Sequence, residues 1–173
     1  MSALRLIKQV EITSSVSSVN VTDVFSADFD IYKIVTSNIQ TAGASATSAV
    51  LRLINNSGTV ITSDYMYAGL SMTDGSAFVE EKSLSDTDVT EFFGVGYQSP
   101  QSSGSVSYCF NPYKSDCYTF FVNQSTSGSL RVKKQIANLK QKTSISGFQV
   151  KADVSARPFD SGLIKVYGLR VDS

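Results

Sequence analysis

Carboxylates come closest to a reactive arrangement in this sequence. Asp28 and Asp30 flank Phe29, Glu80 and Glu81 are adjacent, and Asp86, Asp88 and Glu91 share one short stretch. A carboxylate pair can cleave a glycosidic bond when one member is held protonated and the other ionised. The protonated member needs apolar, aromatic surroundings that raise its pKa. Asp28 and Asp30 fall in a turn, residues 86–91 in polar sequence, and the chain has no Trp on which a sugar could stack. Hydrolysis is therefore not expected. Residues 86–91 also offer hard oxygens that would suit calcium. They lack both the EF-hand spacing and a glycine-aspartate repeat, so a solvated loop is expected there.

Histidine is absent altogether. That removes Ser-His and Cys-His pairs, imidazole metal sites and the commonest general base. The two cysteines cannot close a structural zinc site on their own. Cys109 and Cys117 lie symmetrically about Tyr113, which would set them roughly opposite one another in a hairpin. That placement admits a disulfide, while cytosolic assembly favours two thiols. No cofactor and no metal are expected.

Arg131, Lys133, Lys134, Lys140 and Lys142 form a basic stretch with no acid between Cys117 and Lys151. A nucleic-acid reader would carry interleaved aromatics and a net basic charge. Here the nearest aromatic is Phe148 and the net charge is zero, so no nucleic-acid partner is expected. These residues are instead read as charges on the solvent side of strands, available to dock onto an acidic neighbour. Through Asp116 the chain holds 12 acidic and 6 basic residues, and from Cys117 onward 3 and 9. Such polarity can orient docking, although a fold that interleaves its halves would blunt it. Tyr97 and Tyr113 are candidates for a glycan contact or a subunit interface.

These groups sit in a chain of strand-like periodicity. Leu4, Leu6, Val10 and Ile12 share one face. Ile31, Val35 and Ile39 oppose Tyr32 and Ile34. Val106, Tyr108 and Phe110 line one side of residues 105–110, and Leu130, Val132 and Ile136 one side of 130–139. Asn55-Asn56-Ser57-Gly58 is a strong turn signal. Residues 22–28 read as one helical turn capped by Thr22 or Asp23. Residues 80–91 read as a polar surface excursion. In the last stretch Leu163, Tyr167, Leu169 and Val171 share one face, and Ile164, Val166 and Arg170 the other. A strand apolar on both faces belongs inside a sheet, so the C-terminal strand is expected to insert beside the N-terminal one. The reading is all-β: a single antiparallel jelly-roll β-sandwich of about ten short strands over residues 1–173. No apolar run is long enough to span a bilayer, so no membrane is expected. Residues 1–6 show no secretory pattern, so assembly in a cytosol is expected.

Two segments carry a family resemblance. Phe25-Ser26-Ala27-Asp28-Phe29-Asp30-Ile31-Tyr32-Lys33-Ile34-Val35-Thr36-Ser37-Asn38-Ile39 resembles the short turn, aromatic-Asp and Y-x-I-V strand of a jelly-roll domain in tailed-phage virion proteins. Phe159-Asp160-Ser161-Gly162-Leu163-Ile164-Lys165-Val166-Tyr167-Gly168-Leu169 resembles the closing F-x-S-G-x-I-x-V-Y-G-L strand of that domain. Leu51-Arg52-Leu53 followed by Ser57-Gly58 also fits. The resemblance implies a non-enzymatic structural protein of a virion, assembled in the host cytoplasm. It would decorate a capsid or serve as a small tail or baseplate accessory. Its expected partners are other virion proteins and copies of itself, a trimer being favoured. The rival reading is a carbohydrate- or host-receptor-binding module that meets a surface glycan. Tyr32, Gly162, Val166, Tyr167 and Gly168 form the expected seam of the fold, so Asp at Val166 or Tyr167 should abolish folding. The working surface should lie in loops 40–48, 73–91 and 97–104 and on the strand at 130–142. Charge reversal at Lys133 and Lys134 should spare folding and weaken assembly.

Overall fold

The computed structural model describes residues 3–41, 48–73, 78–97, 101–128 and 131–170. Residues 74–77 of loop 73–91, most of loop 40–48, part of loop 97–104, Leu130 and Val171 lie outside them. Among the described residues there are thirteen strands and no helix. In chain order these are β1 Ala3–Ile12, β2 Ser18–Val21, β3 Ile31–Thr41, β4 Ala49–Asn55, β5 Tyr65–Thr73, β6 Val79–Asp86 and β7 Val89–Phe93. There follow β8 Gly96–Tyr97, β9 Gly104–Phe110, β10 Thr119–Ser127, β11 Arg131–Leu139, β12 Ile145–Ala152 and β13 Phe159–Arg170.

The strands form a sandwich of two sheets. The wide sheet has the order β1-β13-β3-β9-β10-β11-β5-β6, with the short β8 parallel to β3. The narrow sheet has the order β2-β12-β4-β7. All other pairings are antiparallel. The chain crosses repeatedly between the sheets, as in a jelly roll. The core lies between them, with Leu51, Leu53, Phe148 and Val150 from the narrow sheet meeting Tyr32, Ile34, Ile164 and Val166 from the wide one.

The C-terminal strand is internal. β13 pairs with β1 on one side and β3 on the other, so the two segments that carry the family resemblance lie side by side. Ile164 and Val166 are fully buried. Tyr167 points the other way. It is half-buried on the outer face, in register with Leu6 and Lys33. The expectation that both Val166 and Tyr167 hold the core is thus corrected for Tyr167, because strand alternation sends the two to opposite faces. A Cβ on Gly168 would fall 2.6 Å from the Phe29 ring. Gly162 has φ 155°, and a Cβ there would fall 2.9 Å from Cγ1 of Ile39. Tyr32 is fully buried. Its hydroxyl donates to the Ser26 carbonyl at 2.9 Å and accepts from the Ser26 amide at 2.8 Å. Burial raises its pKa against those hydrogen bonds.

Two local expectations change, and the favoured reading of the cysteines as thiols stands. Residues 22–28 form no helical turn. The amides of Val24 and Phe25 both donate to the Ser146 carbonyl, so the segment hangs on the start of β12, and its own bonds are those between Ser26 and Asp28. Residues 80–91 form β6 and β7, where sequence polarity suggested an excursion. Cys109 and Cys117 are free thiols. Cys109 is buried on β9 opposite Tyr32 and Phe121, and Cys117 lies in the connection to β10.

Val166→Asp places an unpaired charge in the core and should leave the chain unfolded by circular dichroism. Tyr167→Asp should stay folded at a lower melting temperature. Gly168→Ala should cost about 1–3 kcal/mol, because the Phe29 ring must move, and Phe29→Ala should recover part of that loss.

Candidate docking surface

The inner face of the wide sheet is polar where it meets β7. Ser105, Asn123, Lys133 and Gln135 are all buried on it. β7 is an edge of the narrow sheet and pairs with β4 alone. Its Thr90 and Phe92 carbonyls and the Gly94 amide that follows turn toward the wide sheet, where side chains satisfy them. Gln135 Nε2 donates to the Thr90 carbonyl at 3.1 Å, and Lys133 Nζ approaches it at 3.4 Å. Asn123 Nδ2 donates to the Phe92 carbonyl at 2.6 Å. The Gly94 amide donates to Ser105 Oγ at 2.9 Å. Ser107 Oγ donates to Asn123 Oδ1 and Thr36 Oγ1 to Ser105 Oγ, fixing both side chains. A buried backbone group left unpaired would cost several times a normal hydrogen bond, and these side chains prevent that. Gly94 allows the close approach, since a Cβ there would fall 1.9 Å from the Thr126 carbonyl oxygen.

An ion-pair cluster extends this stitching. Arg131 Nη2 lies 2.5 Å from Glu81 and 2.6 Å from Glu91. Lys133 Nζ pairs with Glu81 at short range and with Glu91 at 3.4 Å. The Lys133 side chain is 4% exposed. Glu91 sits at a bulge of β7 with φ 51°. It alone among the described non-glycine residues at positive φ is neither Asn nor Asp. Burial opposes ionisation of Glu91. The Arg131 hydrogen bond and the charges of Lys133 and Arg131 together outweigh it, so its pKa is held below the ordinary value. Glu81 and Glu91 come from the acidic half of the sequence, Arg131 and Lys133 from the basic half. Much of the charge asymmetry is therefore spent within the chain.

With polar residues turned inward, the same strands present apolar residues outward. On β11 Lys133, Gln135, Ala137 and Leu139 face in, whereas Lys134 and Ile136 face out. Ile136 is 60% exposed. Cross-strand register aligns it with Ala68 on β5 and Val122 on β10, and Val122 with Tyr108 on β9. Leu70, Val106, Phe120, Met72 and Leu84 are exposed on the same half of the sheet. Leu70, Val106, Tyr108, Val122, Lys134 and Ile136 line a shallow groove of roughly 630 Å³. Apolar exposure this contiguous is characteristic of an interaction surface.

The predicted docking residues therefore separate. Lys133 is corrected from a solvent-side charge to a buried one, and reversing it would strand two carboxylates against a new anion. Arg131 is held by the same carboxylates. Lys134 stays exposed in the groove, and Lys140 and Lys142 are exposed beyond the far end of β11. Tyr97 and Tyr113 do not converge. Tyr97 pairs beside Thr41 at the end of β3, whereas Asn111 bonds Asp30 just before its start and Tyr113 follows in that turn. The length of β3 separates them by roughly 35 Å. Tyr97 lines a different cleft, of about 260 Å³ between the sheets, with Glu91, Ser125, Arg131 and Lys133. The carboxylates considered for calcium are otherwise engaged: Asp88 with Arg52 at 3.1 Å, Asp86 as acceptor from Tyr67, and Glu91 in the cluster. Sequence reasoning missed Asn123, Ser105 and Gln135. Their signal was polar residues in step along neighbouring strands.

No protein-family model and no curated protein matches the chain. Among solved structures it is similar to an alginate lyase in complex with alginate tetrasaccharide, with 8% identity and a TM-score of 0.36 over 95% of this chain and 82% of that one. It is similar to a fructofuranosidase from Schwanniomyces occidentalis, with 9% identity and a TM-score of 0.30 over 95% of this chain and 34% of that one. The VP2 subviral particle of infectious bursal disease virus gives 13% identity and a TM-score of 0.16 over 99% of this chain and 42% of that one. At these scores the likenesses carry nothing about activity or partners.

Lys133→Ala should cost about 3 kcal/mol in chemical denaturation, since it leaves buried carboxylates short of a cation, whereas Lys134→Ala should stay within about 0.5 kcal/mol. Glu91 has a folded pKa below its ordinary 4.5. Its contribution is complete above that value and is lost as pH falls through the folded pKa. Melting temperature should therefore fall as pH drops below the ordinary carboxylate value, and Glu91→Gln should flatten that drop.

Proposed function

We propose that this chain is a non-enzymatic structural protein of a tailed-phage virion, assembled in the host cytoplasm. It would act by docking its apolar outer face onto another virion protein as a capsid decoration or a small tail or baseplate accessory. The observation that carries this reading is the outward row of exposed Ala68, Ile136 and Val122 with half-buried Tyr108, above a polar inner face. Its setting rests on the resemblance of residues 25–39 and 159–169 to virion jelly-roll strands, which here pair as β3 and β13. Lys134 and Lys82 bring positive charge to the groove and Glu80 and Glu81 negative charge, so a partner would be selected by matching charges of both signs.

A second reading, a module for a host glycan or receptor, has one observation in its favour. The cleft between the sheets places Tyr97 with Ser125, Ser127, Glu91 and Arg131, an aromatic ring beside polar groups.

Co-sedimentation with purified capsids and tails separates the readings. Ile136→Glu should leave melting temperature nearly unchanged and reduce particle binding about tenfold or more. Full occupancy by folded Ile136→Glu protein would refute the docking reading. Saturable binding on a glycan array, lost in Tyr97→Ala, would favour the second. Copy number per particle then assigns the place: hundreds of copies for a capsid, tens or fewer for a tail.

A further inference from the structure

The wide sheet ends in two edges of different character. β1 carries a bulge between Leu6 and Lys8, and Lys8 reaches across to the Thr22 carbonyl. β6 runs in regular register with β5 from Val79 to Ser83, with its own irregularity confined to the stretch between Ser83 and Asp86, and its other side pairs with no described strand. It has no proline, and nothing among the described residues covers it. Such an edge is a template for another strand.

Its outward side chains are self-complementary. Phe78, Glu80, Lys82 and Leu84 are all exposed, Phe78 at 70% and Leu84 at 75%. Glu80 and Lys82 make no ion pair among the described residues. Read in the opposite direction, the sequence becomes apolar, cation, anion, apolar. Antiparallel pairing of β6 with a second β6, centred on Glu81, sets Glu80 against Lys82 twice and Phe78 against Leu84 twice. Moving the register by two residues in one direction sets Glu80 against Glu80. Moving it in the other sets Lys82 against Lys82. Opposed charges favour the first register and repulsion excludes the others. Glu81 meets its own copy at the two-fold axis, but on the inner face, where Arg131 and Lys133 neutralise each carboxylate.

We infer that two copies of this chain join edge to edge through β6, making one sheet continuous across a two-fold axis. The axis is perpendicular to the sheet, so both apolar outer faces lie on the same side and form one broad surface. The seam does not depend on what that surface meets. It gives a dimer as the unit of assembly, where the sequence reading favours a trimer.

Analytical ultracentrifugation of the purified chain tests this. The wild type should be dimeric at micromolar concentration. Glu80→Lys and Lys82→Glu should each weaken dimerisation about tenfold or more while leaving the fold intact. The double exchange Glu80→Lys with Lys82→Glu keeps the palindrome and should restore the dimer. An equimolar mixture of the two single variants should form a heterodimer, because each cation then meets an anion. A monomeric or trimeric wild type, single variants that dimerise normally, or a double exchange that fails to rescue would each overturn the inference.

Discussion

The narrow sheet ends at β7, and the free backbone edge of that strand is the constraint on which the rest of the molecule turns. Thr90, Phe92 and Gly94 present backbone groups toward the interior, where water cannot serve them. The wide sheet answers with Gln135, Asn123 and Ser105, one from each of three neighbouring strands. The ion pairs of Arg131 and Lys133 with Glu81 and Glu91 lengthen the same line of contacts. The β7 side of the sandwich closes by these hydrogen bonds and charges together with the Phe92–Phe121 ring contact, and the β13 side by Ile164, Val166, Phe148 and Tyr32.

That choice sets the polarity of the wide sheet. Strand alternation gives each residue one face, so polar residues drawn inward along β9, β10 and β11 push Val106, Tyr108, Val122 and Ile136 outward. A slip of one residue would bury Ile136 and expose Lys133, but it would also leave the edge of β7 unpaired. Register on this side is therefore fixed by hydrogen bonding together with the burial of Phe121, Ala137 and Leu139. The apolar outer face follows from a structural need inside the sandwich, and docking makes use of what that need leaves exposed.

Much of the fold could be read in the sequence. The alternation in residues 159–169 indicated an inner C-terminal strand, and its position between β1 and β3 bears that out. The turn at residues 55–58 and the strand over residues 131–139 are also present. The site was less legible, for a physical reason. Apolar residues in step normally mark the core side of a strand, but at Ile136 and Val122 they mark the solvent side. Nothing local to β11 distinguishes these cases. The decisive fact, an unsatisfied edge on β7, comes from residues more than forty positions away. The same remoteness hid the fate of Lys133, whose partners lie in the acidic residues 80–91 that composition alone marked as a loop.

Side-specific accessibility along β11 tests this account most directly. In a Cys117→Ser background, Gln135→Cys and Ile136→Cys differ by one position and face opposite ways. The folded Ile136→Cys protein should be modified rapidly by a polar thiol reagent, and Gln135→Cys should be protected until the protein unfolds. Rapid modification at position 135 with protection at 136 would place the apolar face in the core and contradict this account.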